Sequence, residues 1–258
     1  MAGTFLEGIF GLISALWEQD WSASPEDDDF MGLYDDIFVH QSFSWDCGIA
    51  TTSMVLLWCQ IVDKGIDTVP LQFDDGTPLW TIDLYVFLRS RNVDAVMSTS
   101  EKGIAKVHGD ISWYREHLEK DRERVNSKFF LAEQNSWRID DAISTEELAE
   151  ALADKRYLPK YDDKGREGED DEKVAIVLVN INNLIPRAGI DQDKYSGHYV
   201  LVLSYNPRSE EFIYLDPSKA TSATKRVSLE SMSRSRESPG TDHDVILCSR
   251  KALIIPKV

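Results

Sequence analysis

The chain has 258 residues, of which 42% are hydrophobic and 10% aromatic, enough for one large folded domain with a substantial core. Its net charge of −17 argues against nucleic acid and anionic membrane as partners, because its surface would repel phosphates. Three cysteines without a CxxC motif or a His/Cys cluster predict neither a disulfide framework nor structural zinc. A reducing compartment follows, so we expect the protein in the cytoplasm, with the nucleus as a further location.

Residues 1–21 form the first predicted element, an amphipathic helix. Apolar side chains recur there at helical spacing, from Phe5 to Trp17. The segment lacks a basic start and Glu7 interrupts its apolar part, so it does not resemble a signal peptide. Because its polar face carries no lysine or arginine, we expect it to dock on protein rather than on a membrane surface. No apolar run approaches the length of a transmembrane segment.

An acidic linker is predicted at residues 22–36, followed by one domain over residues 37–258. Helices are expected first and strands afterwards, which indicates an α+β domain with helices against one face of an antiparallel sheet. The predicted helices are 47–62, 79–91, 110–131 and one that begins near 145, where Ser144 and Glu147 form a capping box. The predicted strands are 94–100, 174–180, 198–205, 211–217 and 245–255. Residues 154–173 are highly charged and are predicted to form a surface loop.

Cys47 lies at the predicted start of a helix, in the sequence QSFSWDCGIA. A helix N-terminus and a nearby imidazolium both favour the thiolate, which is the nucleophilic form of cysteine. His198 follows Cys47 by 151 residues, close to the spacing of these two residue types in papain-like enzymes. The other cysteines, Cys59 and Cys248, lie in apolar segments and are predicted to belong to the core.

A catalytic histidine needs a neighbouring group that fixes its tautomer. If the turn NPRSE centres near Arg208, Asp216 lies opposite Val200 and therefore diagonally beside His198. A register shift of one residue would turn this carboxylate to the other face. Asn206 is then the alternative orienting residue.

Gln41 completes the predicted site from a position six residues before the cysteine. Its side-chain amide and the backbone N–H of Cys47 could both donate to a developing oxyanion. Each residue also has a structural explanation: cysteine in the core, histidine at a strand start, aspartate in a turn, and Asp46 as a helix cap. The combination of glutamine, cysteine, histidine and aspartate in this order predicts a thiol-hydrolase site.

Longer stretches resemble the guanylyl cyclase domain-containing proteins, including the plant soluble guanylyl cyclase-like members. The matching stretches run in order from about residue 37 to 248 and are WDCGIA, LWTIDL, SWYREHLEKDRERVN, VAIVLVN, GHYVLVLSYN and PGTDHDVIL. This family is in turn similar to bacterial double-glycine leader peptidases, which implies a papain-like cysteine peptidase fold with the nucleophile helix packed on a C-terminal antiparallel sheet. The resemblance places Gln41, Cys47, His198 and Asp216 at the positions of the oxyanion glutamine and the catalytic triad.

Three functions stay open at this point. The residues favour a papain-like cysteine hydrolase, of peptidase or isopeptidase type, which acts on a peptide or protein substrate without a cofactor. The family name implies instead a guanylyl cyclase, which makes cyclic GMP from GTP with Mg or Mn held by carboxylates. The third is a catalytically inert papain-fold module that docks through its N-terminal helix. The chain is acidic and has no GxxxxGK[ST] or GxGxxG motif, so its residues support the hydrolase better than the cyclase.

Overall fold

The computed structural model describes residues 34–62, 79–104, 106–111, 115, 118–153, 172–186, 191 and 194–250. They belong to one α+β domain with a seven-stranded sheet. The predicted N-terminal helix, most of the acidic linker and residues 154–171 of the predicted charged loop lie outside these ranges. None of the helices in the described ranges combines the length and the hydropathy that a membrane span requires.

The helices predicted from the sequence are confirmed at the expected places in the chain. Several of their first and last residues differ from the predicted bounds. In chain order the described α-helices are α1 (Cys47–Trp58), α2 (Thr81–Ser90), α3 (Leu118–Gln134), α4 (Thr145–Ala151), α5 (Ile181–Leu184) and α6 (Leu229–Arg236). The short α5 and α6 were not predicted. The capping box of α4 is confirmed: Ser144 Oγ accepts the Glu147 N–H at 3.1 Å, and the Glu147 carboxylate accepts the Ser144 N–H at 2.7 Å. A 3₁₀ turn over Lys106–Asp110 precedes α3, and residues 112–114, 116 and 117 of the predicted helix lie outside the described ranges.

All five predicted strands are present in the sheet, and residues 251–255 of the last one lie outside the described ranges. The strands are β1 (Asp94–Thr99), β2 (Ile139–Asp141), β3 (Glu172–Asn180), β4 (Gly197–Asn206), β5 (Glu211–Leu215), β6 (Lys225–Ser228) and β7 (Val245–Arg250). Their order across the sheet is β2-β1-β7-β3-β4-β5-β6. Neighbouring strands run antiparallel except β1 and β2, which are parallel, so the sheet is mixed. β3 begins at Glu172, which places the last two residues of the predicted charged loop in a strand.

Helices cover both faces of the sheet, so the expectation that they pack on one face only was wrong. One face carries Val177 and Val200, which belong to a core cluster with Met232 of α6. On the other face α1 packs on β4, and Gly48 contacts Tyr199 there. Tyr199 directly precedes Val200 in the strand, so its side chain points to the face opposite to that of Val200. The physical reason is visible in β3, whose run VAIVLVN is apolar throughout and is buried on both sides.

Gly48 allows α1 to lie close to its neighbours. A Cβ atom at this position would be 3.1 Å from Leu84 Cδ1 of α2 and 3.1 Å from Tyr199 Cδ2 of β4. A larger residue would push the first turn of α1 away from both elements. The start of this helix, and with it Cys47, is therefore fixed against the sheet. α1 packs on β4 of the sheet, while the papain-like assignment and the domain boundaries stay predictions.

Candidate functional site

The first residue of α1 and the second residue of β4 meet at one end of the sheet. Cys47 and His198 occupy these two positions, and the Cys47 side chain lies close enough to His198 to influence the pKa of the imidazole. Cys47 is 7% exposed and His198 is 9% exposed. The thiol is thus nearly removed from water, at the helix end where free backbone N–H groups and the helix dipole favour negative charge.

Asp216 lies against the histidine from the neighbouring strand. His198 Nε2 is 2.8 Å from Asp216 Oδ1, so the Nε2–H donates to the carboxylate and Nδ1 is left for the thiol. The register is the one predicted at this end of the hairpin: Leu201 pairs with Leu215, which puts Val200 opposite Asp216. The structure therefore brings Cys47, His198 and Asp216 together, with a hydrogen bond between His198 and Asp216.

Ser218 also holds the carboxylate of Asp216, a role that the sequence did not indicate. Its backbone N–H and its hydroxyl both donate to Asp216 Oδ1, at 2.9 and 2.7 Å. Burial raises the pKa of Asp216, but the hydrogen bonds and charge of His198, together with the hydrogen bonds of Ser218, outweigh it and lower the pKa to about 2. Asp216 is therefore a carboxylate throughout the neutral range.

The charge of His198 follows from the same contacts. Burial lowers its pKa, but hydrogen bonds and charge interactions with Asp216 and Cys47 outweigh this and raise the pKa to about 10. His198 is therefore an imidazolium at neutral pH. A protonated imidazole between a carboxylate and a thiol is the arrangement that stabilises a thiolate.

Gln41 is anchored to the turn that carries Asp216. Its backbone N–H donates to the Pro217 carbonyl at 2.9 Å, and its Nε2 donates to the Phe43 carbonyl at 2.7 Å. His40 supports the same contact, because its Nδ1 is 2.9 Å from the Pro217 carbonyl oxygen. Gln41 thus lies in a loop that leads directly into Cys47, and its side-chain Oε1 is buried without a hydrogen-bond partner.

Asp46 is the N-cap residue of α1, but its side chain makes no capping hydrogen bond to the helix and shapes this loop instead. Its two carboxylate oxygens accept the backbone N–H groups of Ser42 and Phe43, each at 3.0 Å. The carboxylate itself is buried. It folds the segment between Gln41 and Cys47 back on itself, because local hydrogen bonds of this kind compete with helix capping.

The alternative orienting residue, Asn206, is excluded by its position. It lies at the far end of β4, where its Oδ1 accepts the N–H of Arg208 at 2.9 Å in the hairpin turn. A second buried histidine, His108, lies 2.6 Å from an Asp242 carboxylate oxygen and packs edge-on against Trp80. The partner of His108, Asp242, lies in the stretch PGTDHD.

The two other thiols are in different surroundings. Cys248 of β7 is fully buried, as predicted, and burial raises its pKa well above the ordinary value. Cys59 follows the last residue of α1 and is only half-buried rather than in the core. Burial raises the pKa of Cys59 to about 11, although the nearby Arg250 opposes this shift. Both thiols are therefore protonated and unreactive at neutral pH.

A polar cleft of about 610 Å³ opens at the same end of the sheet. Asn180, the last residue of β3, lines the cleft and pairs with Gly197, the residue before His198. Tyr195 lies so close to Gly197 that a side chain at position 197 would collide with the Tyr195 hydroxyl. The remaining lining residues are Asp110, Ile111, Asn183, Lys194, Arg234, Glu237, Ser238 and Pro239.

The ion pair of His198 and Asp216 predicts a defined pH dependence of stability. The raised histidine pKa gives stabilisation that is complete below the unfolded value of 6.5 and is lost as the pH rises toward about 10. The lowered aspartate pKa gives stabilisation that is complete above 3.8 and is lost as the pH falls toward about 2. We therefore expect the loss in unfolding free energy caused by Asp216→Asn to be largest between these two unfolded pKa values, and to shrink on both sides.

Urea unfolding of the wild type and Asp216→Asn across this pH range is the measurement. Asp141→Asn is the matched control, because that carboxylate pairs with Lys102 but is 98% exposed. Asp141→Asn should change the unfolding free energy little at every pH in this range. An Asp216→Asn effect that does not change with pH would show that the pair is not ionised in the folded protein.

Comparison with known proteins agrees with the resemblance seen in the sequence. The family described as Guanylylate cyclase matches residues 37–248, which are most of the chain. A relative named "Guanylyl cyclase 1", from Arabidopsis thaliana, is 27% identical over 219 residues, which cover 81% of this chain and 73% of that protein. These matches do not show a similarity to papain-like peptidases. On the family match, the chain belongs to the family described as Guanylylate cyclase.

Proposed function

We propose that this chain has a cysteine-dependent acyl-transfer centre of the hydrolase type, in which Cys47 is the nucleophile. The observation that supports it is the position of the Cys47 thiol beside His198, which is hydrogen-bonded to Asp216, at the start of a buried helix. Papain-like hydrolases use a cysteine, a histidine and an orienting group in the same relation. A peptide or isopeptide bond is the substrate that we propose.

The contacts define a role for each residue in such a reaction. Cys47 Sγ attacks the carbonyl carbon, and the oxyanion accepts hydrogen bonds from the Cys47 N–H and the Gln41 amide. His198 transfers its proton to the leaving amine, and a thioester remains on the cysteine. Water then attacks the thioester as His198 takes a proton from it, and Cys47 leaves as the thiolate. Asp216 stays ionised and holds the histidine ring in place.

A guanylyl cyclase is the second candidate, and the comparisons favour it over a hydrolase. Both the family description and the name of the Arabidopsis relative are those of a cyclase, and neither mentions a hydrolase. The polar cleft is where a nucleotide would be sought, because Lys194 and Arg234 line it and its volume suits a small ligand. The described residues contain no group of three or more His, Cys, Asp or Glu side chains that could hold a metal ion.

Both activities are tested in the same preparations. Hydrolysis of activated esters and of a peptide library is measured beside cyclic GMP formation from GTP with Mg or Mn. We expect Cys47→Ala to lower acyl hydrolysis by about 1,000-fold, because the nucleophile is lost. Cys59→Ala, at the other end of the same helix, is the matched control and should retain it.

The outcomes separate the candidates. Cyclic GMP formation that survives Cys47→Ala and is lost in Lys194→Ala would support the cyclase and contradict the hydrolase. Failure of both activities, together with an unreactive Cys47, would contradict both enzymes. The interaction module would then be the remaining function.

A further inference from the structure

An exposed aromatic pair lies directly before the nucleophile. The rings of Phe43 and Trp45 are stacked, with centroids 5.5 Å apart and planes 8° apart. Phe43 is 59% exposed, the largest value among the big hydrophobic side chains of the described residues. We call this pair, Phe43 with Trp45, the aromatic platform.

The platform is held rigidly although it lies in a loop. The buried Asp46 carboxylate accepts the N–H of Phe43, and the Phe43 carbonyl accepts the Gln41 amide. Gln41 is in turn tied to Pro217, beside Asp216. The fold therefore presents an apolar ring to solvent in a defined orientation, and the same contacts connect that ring to the proposed oxyanion and orienting residues.

We propose that the aromatic platform binds an aromatic or branched aliphatic side chain of the acyl substrate that Cys47 attacks. This inference rests on the proposed thiol centre. Phe43 is four residues before Cys47, so their Cα atoms are at most about 14 Å apart. An extended peptide whose carbonyl lies at the thiol spans that distance with about four residues.

The platform itself indicates the chemistry of the bound group. Stacked rings offer an apolar face and an aromatic edge, and both bind aromatic or aliphatic groups rather than charged ones. A rigid aromatic surface also binds without losing conformational freedom of its own. The specificity of the site therefore lies in an apolar side chain near the acyl group that is transferred.

Alkylation by two reagents tests this proposal without a known substrate. Iodoacetamide and N-benzyl-2-iodoacetamide have the same reactive group, and only the second carries an aromatic ring. The ratio of their rates at Cys47 is divided by the same ratio for N-acetylcysteine, which gives the aromatic preference of the site. We expect a preference for the benzyl reagent in the wild type and in Phe43→Tyr, and its loss, by about 3- to 10-fold, in Phe43→Ala.

Phe130→Ala is the matched control, because Phe130 of α3 is also an exposed phenylalanine, at 58%. That variant should keep the aromatic preference. An equal preference in the wild type and Phe43→Ala, or none in the wild type, would overturn the platform. A wild-type Cys47 that reacts with both reagents no faster than N-acetylcysteine would overturn the thiol centre instead, so the two failures are distinguishable.

Discussion

Replacement of His198 by alanine is expected to lower the rate at which iodoacetamide alkylates Cys47 near pH 6 by about 100-fold. A thiol with an ordinary pKa of about 8.5 is less than about 1% ionised at that pH. In the wild type, His198 is protonated, because its pKa is raised to about 10, and an imidazolium beside a thiol favours the thiolate. Loss of the imidazolium removes this charge and leaves the thiol buried.

The measurement is the alkylation of each cysteine in native protein, followed by peptide mapping. His108→Ala is the matched control, because it removes a buried histidine that is also paired with an aspartate, Asp242. Circular dichroism verifies that both variants are folded. Equal rates at Cys47 in the wild type and in folded His198→Ala would contradict a thiolate–imidazolium pair.

Replacement of Asp83 by alanine is expected to destabilise the protein by about 3–5 kcal/mol. Asp83 is in the first turn of α2 and is 1% exposed. It accepts the Trp80 N–H at 2.9 Å and forms ion pairs with Arg124 and with Lys128, the latter at 2.6 Å. Alanine would remove the buried carboxylate that Arg124 and Lys128 of α3 contact, and it would leave a cavity beside these cations. It would also remove the hydrogen bond from the Trp80 N–H at the start of α2.

Urea unfolding at neutral pH gives the free energy of unfolding of the wild type and of each variant. Asp94→Ala provides the comparison, because that carboxylate pairs with Arg89 at 3.3 Å but is 75% exposed, and its loss should cost less than about 1 kcal/mol. If the two variants lose similar amounts of unfolding free energy, the ion pairs of Asp83 with Arg124 and Lys128 do not stabilise the contact between α2 and α3. Since Leu84 of α2 contacts the start of α1, a loosened α2 should also slow alkylation of Cys47.

The pairing of His198 with Asp216 could be predicted because a hairpin is local. The two residues are 18 apart, and the position of the turn NPRSE sets which residues face each other. The prediction holds at the His198 end of the hairpin. Near the turn the pairs are shifted, with Asn206 opposite Glu211, and a bulge between Val202 and Ser204 corrects the register.

Other features depend on contacts that no local pattern contains. β2 has three residues and β6 has four, too few to show an alternating pattern. The apolar run of β3 indicated burial, but only the packing of α1 and α6 shows that both faces are covered. The contact of Ser218 with Asp216 and the role of Asp46 in the Gln41 loop depend on how loops fold, and the residue types alone do not reveal them.

The most direct measurement is the intact mass of the native protein during turnover of an activated acyl ester. If Cys47 is the nucleophile, one acyl group appears on it as a thioester, disappears as hydrolysis proceeds, and is absent in Cys47→Ala. Acylation that falls only on lysines or on the other cysteines, or an unmodified protein that still forms cyclic GMP from GTP, would contradict Cys47 as the nucleophile.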